Sequence, residues 1–221
     1  MTLNIKAFCL GPLQNNSYVF WDDQNKEAFA VDPPLGSELM AAFIKHNGLN
    51  LTKILNTHCH FDHIGGNALL ARFFGAKLFV SRKDLELLLK GAASAGCFGL
   101  EIESSPAPDG FLKEGDVLGL GETEVRVIET PGHTPGGLCF HAGPILFSGD
   151  SLFAGSIGRT DLDGGDFEAL AGSIREKLFI LPPETKVYPG HGPFTTIGAE
   201  IGANPFVGAS AGMAGTGADN D

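Results

Sequence analysis

Long apolar runs are missing from this chain, and so are clustered cations and paired cysteines. No stretch approaches the roughly 18 consecutive apolar residues that a membrane-crossing helix needs, so a helical span is excluded. Lys and Arg number 15 against 26 Asp and Glu, a net charge of −11, and no basic run occurs. Proteins that grip a phosphate backbone do so with clustered positive charge, so nucleic acid is not an expected partner. The four cysteines, Cys9, Cys59, Cys97 and Cys139, are scattered with no CxxC spacing. That pattern excludes a disulfide-dense scaffold and fits a reduced, cytoplasmic chain. The opening MTLNIKAFCLGPLQNNSYVF has no charged segment leading into an apolar core, and no secretory signal is expected.

What is present describes an ordinary globular domain: 221 residues, 43% hydrophobic and 19% charged, enough for one substantial core. The 31 glycines point to many tight turns rather than a helical bundle. LNIKAFCL, SYVFW and EAFAVD read as strands separated by Gly, Pro and Asn. SELMAAFIKHNG places Leu39, Met40, Phe43 and Ile44 at helical spacing and stops at Gly48. The strand LTKILNT follows, then a helix from about Gly66 with Leu69 and Phe73 one turn apart. After the strand KLFV, SRKDLELLLKG reads as a helix with Ser81 as N-cap, Asp84 three residues on, and Leu85, Leu88 and Leu89 on one face. The stretch from Gly91 to Gly110 reads as a long connection, either a surface excursion or the rim of a cleft. DVLGL, TEVRVIET, LCFHAG and PILFSGD are further strands, and DFEALAGSIREKLFIL is a helix with Phe167, Leu170, Ile174 and Leu178 inward. The succession fits an α/β protein of two face-to-face sheets with helices outside. Residues 1–207 form the domain, and the Gly/Ala-rich 208–221 reads as a flexible tail.

Four of the most reactive side chains crowd into THCHFDHIGG: His58, His60, Asp62 and His63, in a chain with seven histidines in all. In extended backbone His58 and His60 point the same way and Cys59 points away, so Cys59 reads as a packed residue. Imidazoles and a carboxylate converging from two directions suit a transition metal. Three strand-end turns offer further ligands: TPGHTPGG presents His133, LFSGDSLF presents Asp150, and VYPGHGPFTT presents His191. A carboxylate such as Asp150 at the end of an apolar strand is costly unless a cation receives it. His46 and His141 lack that setting and read as surface residues.

The run HCHFDH, followed in order by His133, Asp150 and His191, resembles the metallo-β-lactamase superfamily, whose fold is an αββα sandwich. Together with GDSLFAGSIGRTDLDGGD and YPGHGPFTTIGAEIGANPF, it is most similar to the short, single-domain glyoxalase II-like hydrolases. The resemblance implies two divalent metal ions, zinc first, with iron and manganese as alternatives. His58, His60 and His133 would hold one; Asp62, His63 and His191 would hold the other; Asp150 would bridge. Asp62 and Asp150 would be the catalytic carboxylates. It further implies that a hydroxide bridging the metals attacks a thioester such as S-lactoylglutathione. The partner would be a small-molecule thioester, with the oligomeric state left open. A rival of another reaction class is a persulfide dioxygenase acting on glutathione persulfide. It would share the stretch Gly158-Arg159-Thr160-Asp161 and hold a single iron with His58, His133 and Asp150. Arg159 reads either as a receiver of a substrate carboxylate or as the partner of Asp161.

Overall fold

The computed structural model describes residues 3–209 and 211. The first six strands are β1 (Leu3–Leu10), β2 (Asn15–Asp22), β3 (Glu27–Val31), β4 (Asn50–Leu55), β5 (Lys77–Ser81) and β6 (Gly110–Leu112), paired in that order. β1, β2 and β3 are antiparallel, whereas β3 to β6 run parallel. The second sheet contains β7 (Val117–Leu120), β8 (Thr123–Glu129), β9 (Leu138–Ala142) and β10 (Ile145–Gly149) as an antiparallel meander. A hairpin of β11 (Leu152–Phe153) and β12 (Ser156–Ile157) stands apart. β13 (Lys186–Pro189) joins β10 in parallel, and β14 (Thr195–Thr196) closes that edge.

Strand alternation sorts the apolar residues into three layers. Tyr18 and Phe20 of β2 face the second sheet, where they meet Phe140 and Phe147, while Val19 between them faces the helices. The same alternation on β9 sends Leu138 and Phe140 inward and Cys139 outward. On the first sheet's outer face lie α1 (Glu38–His46), the single turn α2 (Phe61–Ile64), α3 (Asn67–Phe74) and α4 (Leu85–Cys97). The second sheet's outer face takes α5 (Phe167–Ser173), continued by a wider turn over Ile174–Leu178, and α6 (Ile197–Ala203). The αββα sandwich is therefore the fold.

Several helical faces differ from the sequence expectation. Leu39 is 61% exposed, Phe73 69%, Leu89 73% and Phe167 41%. A helix lying on a sheet buries only a narrow stripe, and here the stripes are Met40 and Ile44, Leu70, and Leu88 with Ala95. The helix α4 also extends to Cys97, well into the stretch read as a connection, which shortens that connection to residues 98–109. Gly91 packs directly against α2, where an added Cβ would press on the Ile64 Cδ1 methyl. His141 is half-buried rather than a surface residue, since its β9 position points to the helix side. His46 is exposed as expected, and Cys59 is packed in the core. Residues 208, 209 and 211 continue the backbone bonding of the last helix, with the Ala209 N–H donating to Ile201 O at 2.7 Å. The remainder of the expected tail, 210 and 212–221, lies outside the described residues.

Candidate metal centre

Four strands end at one edge of the sandwich, and each hands over one part of the cluster. β4 leads into Thr57 and His58, β8 into Thr130 and His133, β10 into Asp150, and β13 into Gly190 and His191. The turns are tied to one another: Leu138 N–H donates to Thr57 O at 2.7 Å, Gly190 N–H to Gly149 O at 2.8 Å, and Asn16 N–H to Gly190 O at 2.7 Å. Gly190 must lack a side chain, because a Cβ would run into Asp150 Oδ1 and His63 Cε1.

All seven residues expected at the site come together. His58, His60 and His133 form one group and Asp62, His63 and His191 another, with the ligand atoms of each group within 4.8 Å of one another. Asp150 sits between them: its Oδ2 is 3.6 Å from His133 Nε2 and 3.7 Å from His191 Nε2, and its Oδ1 is 3.5 Å from His63 Nε2. His58 Nε2, His63 Nε2 and Asp150 Oδ1 are buried without a hydrogen-bond partner among the described residues. Polar atoms left so in an interior are costly, and three of them aimed into one space fit a bound cation. The donor set is nitrogen and oxygen only, which suits zinc, iron or manganese alike.

The opposite side of each ring is held by the protein. His63 Nδ1 donates to Asp32 Oδ2 at 3.1 Å, His133 Nδ1 to Arg159 O at 2.8 Å, and His58 Nδ1 to Thr57 Oγ1 at 3.1 Å. Thr57 Oγ1 in turn donates to Asp32 Oδ2 at 2.5 Å, and its N–H to Asp32 Oδ1 at 2.7 Å. Such bonds fix the tautomer and leave Nε2 facing the centre. Asp84 is the second buried brace. It accepts from Gly136 N–H at 2.7 Å, Thr134 Oγ1 at 2.8 Å and Cys59 N–H at 3.1 Å, so it joins the His133 turn to the HCHFDH run. Asn15 Nδ2 donates to Asp62 Oδ2 at 2.8 Å.

Sequence reasoning missed Asp32, Asp84, Asn15 and Thr57 as site residues. Asp32 carried a usable signal, since it ends an apolar strand, the setting that singled out Asp150. Asp84 was read as a helix-cap partner; Ser81 does cap through Lys83 N–H at 3.3 Å, but Asp84 turns inward instead. Arg159 pairs with Asp161 through two bonds of 2.7 and 2.8 Å, so its internal reading holds.

The electrostatics divide the cluster. Burial pushes His63 down, but Asp150, Asp62 and Asp32 outweigh it and raise its pKa to about 10. Burial and the neighbouring imidazoles of His133 and His63 push His60 down to about 4, and burial with His63 and His133 holds His58 well below the usual range. Burial works to raise Asp62, yet His63 and the bonds from His191 and Asn15 keep it far below the ordinary carboxylate range.

An αββα sandwich carrying a His/Asp cluster suited to two metals, at the ends of its strands, defines a class of metallo-hydrolases. Residues 10–191 match the model of the metallo-beta-lactamase superfamily, and the chain belongs to that superfamily. It is 39% identical to hydroxyacylglutathione hydrolase GloC of Haemophilus influenzae over 209 residues, covering 93% of this chain and 98% of that protein. Among solved structures it is similar to the BLEG-1 B3 metallo-beta-lactamase, at 39% identity and a TM-score of 0.86 over 92% of this chain and 99% of that one. TTHA1623 in a di-iron-bound form is 40% identical with a TM-score of 0.83, over 91% and 99%. ETHE1 from Myxococcus xanthus is more distant, 28% identical with a TM-score of 0.78 over 94% and 84%. The di-iron neighbour means that the metal here is not fixed as zinc.

Proposed function

We propose that this protein is a binuclear metal-dependent thioester hydrolase of the glyoxalase II-like kind. The observation that carries the reading is the pair of three-residue groups with Asp150 between them and three inward atoms left unpartnered. His58, His60 and His133 would hold one cation and Asp62, His63 and His191 the other, with Asp150 between the two groups. Bound there, two divalent ions would supply Lewis acidity toward the acyl oxygen and a water acidic enough to be ionised at neutral pH. The chain's own contribution is orientation. Asp32, Thr57 and the Arg159 carbonyl lock three imidazoles with Nε2 inward. Asn15 holds the Asp62 carboxylate by one oxygen, and Asp150 keeps an oxygen without a hydrogen bond beside His63 Nε2. These two carboxylates are the groups available to orient the attacking water by its hydrogens. Hydrolysis places the water's oxygen on the acyl carbon and leaves the remaining proton with the departing sulfur. Similarity to a GloC hydrolase supports a hydroxyacyl thioester such as S-lactoylglutathione as the substrate type.

The second reading is a mononuclear-iron persulfide dioxygenase using His58, His133 and Asp150, favoured by the likeness to ETHE1. It leaves the Asp62, His63 and His191 group, braced by Asn15 and Asp32, without a use. The deciding experiment loads the protein separately with zinc, iron and manganese and offers lactoyl thioesters of glutathione and of the neutral thiol N-acetylcysteamine. Thioester loss that stops with chelator and falls at least a hundredfold in Asp150→Ala supports the hydrolase. Oxygen uptake with glutathione persulfide in the iron form, and no ester cleavage in any form, would replace it with the dioxygenase.

A further inference from the structure

Outside the cluster, one buried carboxylate holds two of the segments that feed it. Glu200 on α6 is 4% exposed, and its partners are a hydroxyl, a backbone N–H and an amide, with no cation among them. Thr195 Oγ1 donates to its Oε1 at 2.6 Å. Gly155 N–H and Asn204 Nδ2 donate to its Oε2 at 2.9 and 2.8 Å. Asn204, fully buried one turn further on, also donates to Ser156 O at 3.0 Å. Burying a carboxylate without a cation is costly, and an apolar side chain would anchor α6 to the sheet at lower cost. What the carboxylate adds is a link between the hairpin of β11 and β12 and the edge strand β14.

Each of these segments leads to a residue of the cluster. The hairpin follows Asp150 and folds back onto it: Gly158 N–H donates to Ser151 O, and a Cβ on Gly158 would strike Asp150 O and crowd the His133 ring. The next residue, Arg159, supplies the carbonyl that takes the His133 Nδ1 proton. Leu152 and Ile157 pack the foot of the hairpin into the outer core, while Glu200 and Asn204 bond to its tip at Gly155 and Ser156. Thr195 lies four residues after His191, whose ring has no brace among the described residues of the kind that Asp32, Thr57 and the Arg159 carbonyl provide. The His191 ring instead meets Phe153 of the same hairpin, edge-on with centroids 6.3 Å apart.

We propose that Glu200, with Asn204, is a positioning residue for the metal centre: by clasping the hairpin tip to β14 it sets His133 and His191, one histidine in each of the two three-residue groups, from outside the cluster. The inference rests on the two-metal part of the reading above and adds to it an outer contact that serves both positions.

The test compares wild type with three variants of the full chain. Glu200→Met keeps the length of the side chain and removes its bonds. In Glu200→Gln the amide oxygen still accepts from Gly155 and Asn204 while the NH2 donates to the Thr195 hydroxyl, so the clasp is kept. Thr195→Val removes the β14 arm alone. Chelator competition measures the affinity for each of two zinc ions. In the metal-free protein, proton NMR with nitrogen-labelled histidine follows water exchange of the N–H that His133 gives to Arg159 O and of the one that His63 gives to Asp32. Glu200→Met should weaken both zinc ions about tenfold and speed exchange at His133 about tenfold, with His63 unchanged and Glu200→Gln restoring both. Thr195→Val should weaken one ion and leave His133 as it was. Unchanged affinities and exchange in Glu200→Met overturn the proposal, and so does an equal gain in exchange at His63, which marks general loosening. If Glu200→Met does not fold, Thr195→Val decides: one weakened ion upholds the clasp, and two unaltered affinities overturn it. A wild type that binds fewer than two zinc ions overturns the two-metal reading, and exchange at His133 in Glu200→Met then decides the clasp by itself.

Discussion

The residue on which most of the centre depends is one the sequence hardly advertises. Asp32 is 1% exposed, has a positive φ of 48°, and accepts three bonds, two from Thr57 and one from His63. Through Thr57 it orients His58, and directly it orients His63, one histidine in each of the two groups proposed to hold a metal. Asp32→Ala removes all three acceptor bonds, so His63 loses its tautomer lock. Metal affinity at the Asp62, His63 and His191 position should fall ten- to a hundredfold. Metal content after dialysis, measured by atomic emission, should drop from about two ions per chain toward one, and full retention would refute the role given to Asp32. The seven inward residues were legible because histidines and aspartates at strand-end turns have few other reasons to occur there. The braces behind them were harder to read: Asp32 shares the strand-end setting of Asp150, but Asp84, which accepts backbone and hydroxyl protons, and Asn15, which donates to Asp62, leave no spacing pattern in the chain.

At the scale of elements, strands were easier to read than helix faces. Period-two alternation in β2 and β9 translates directly into the two sides of a sheet, whereas α1, α3 and α4 contain more apolar residues than a sheet can cover. The end of the domain shows a similar limit. The Gly/Ala composition after Phe206 suggests a boundary at 207, yet residues on both sides of that position are tied to the outer core. Val207 is 3% exposed against Ile174 and Leu178, its carbonyl and that of Phe206 accept from Arg175 at 3.2 Å, and Asn204 Oδ1 receives both of their N–H groups. A chain ending after Ala209 should melt where the full chain does. A chain ending after Phe206 loses a buried Val side chain, about 1.5–3 kcal/mol, and with it about 2–4 °C per kcal/mol. Equal melting temperatures for the two truncations would show that Val207 contributes nothing to the outer core.

For the whole molecule, the centre ties stability to pH with a different sign on either side of neutrality. Without metal, His60 has its pKa lowered to about 4, and His58 is lowered too. Between pH 6.5 and 4 the unfolded chain therefore binds protons that the folded chain refuses, and stability falls as pH drops through that window. His63 behaves oppositely, because its pKa is raised to about 10. Between pH 6.5 and 10 the folded chain keeps a proton that the unfolded chain has lost, and stability falls as pH rises. The metal-free protein should thus melt highest near pH 6.5. Metal loading displaces the His63 proton, so the folded and unfolded states no longer differ there and the alkaline decline should vanish. The acid decline should remain, since protonation of the unfolded imidazoles still competes with metal held by the folded ones. Melting curves from pH 5 to 10, with chelator and with saturating zinc, read this asymmetry directly. An alkaline flank unchanged by metal would mean that His63 is not a ligand, and the second metal position would fall with it.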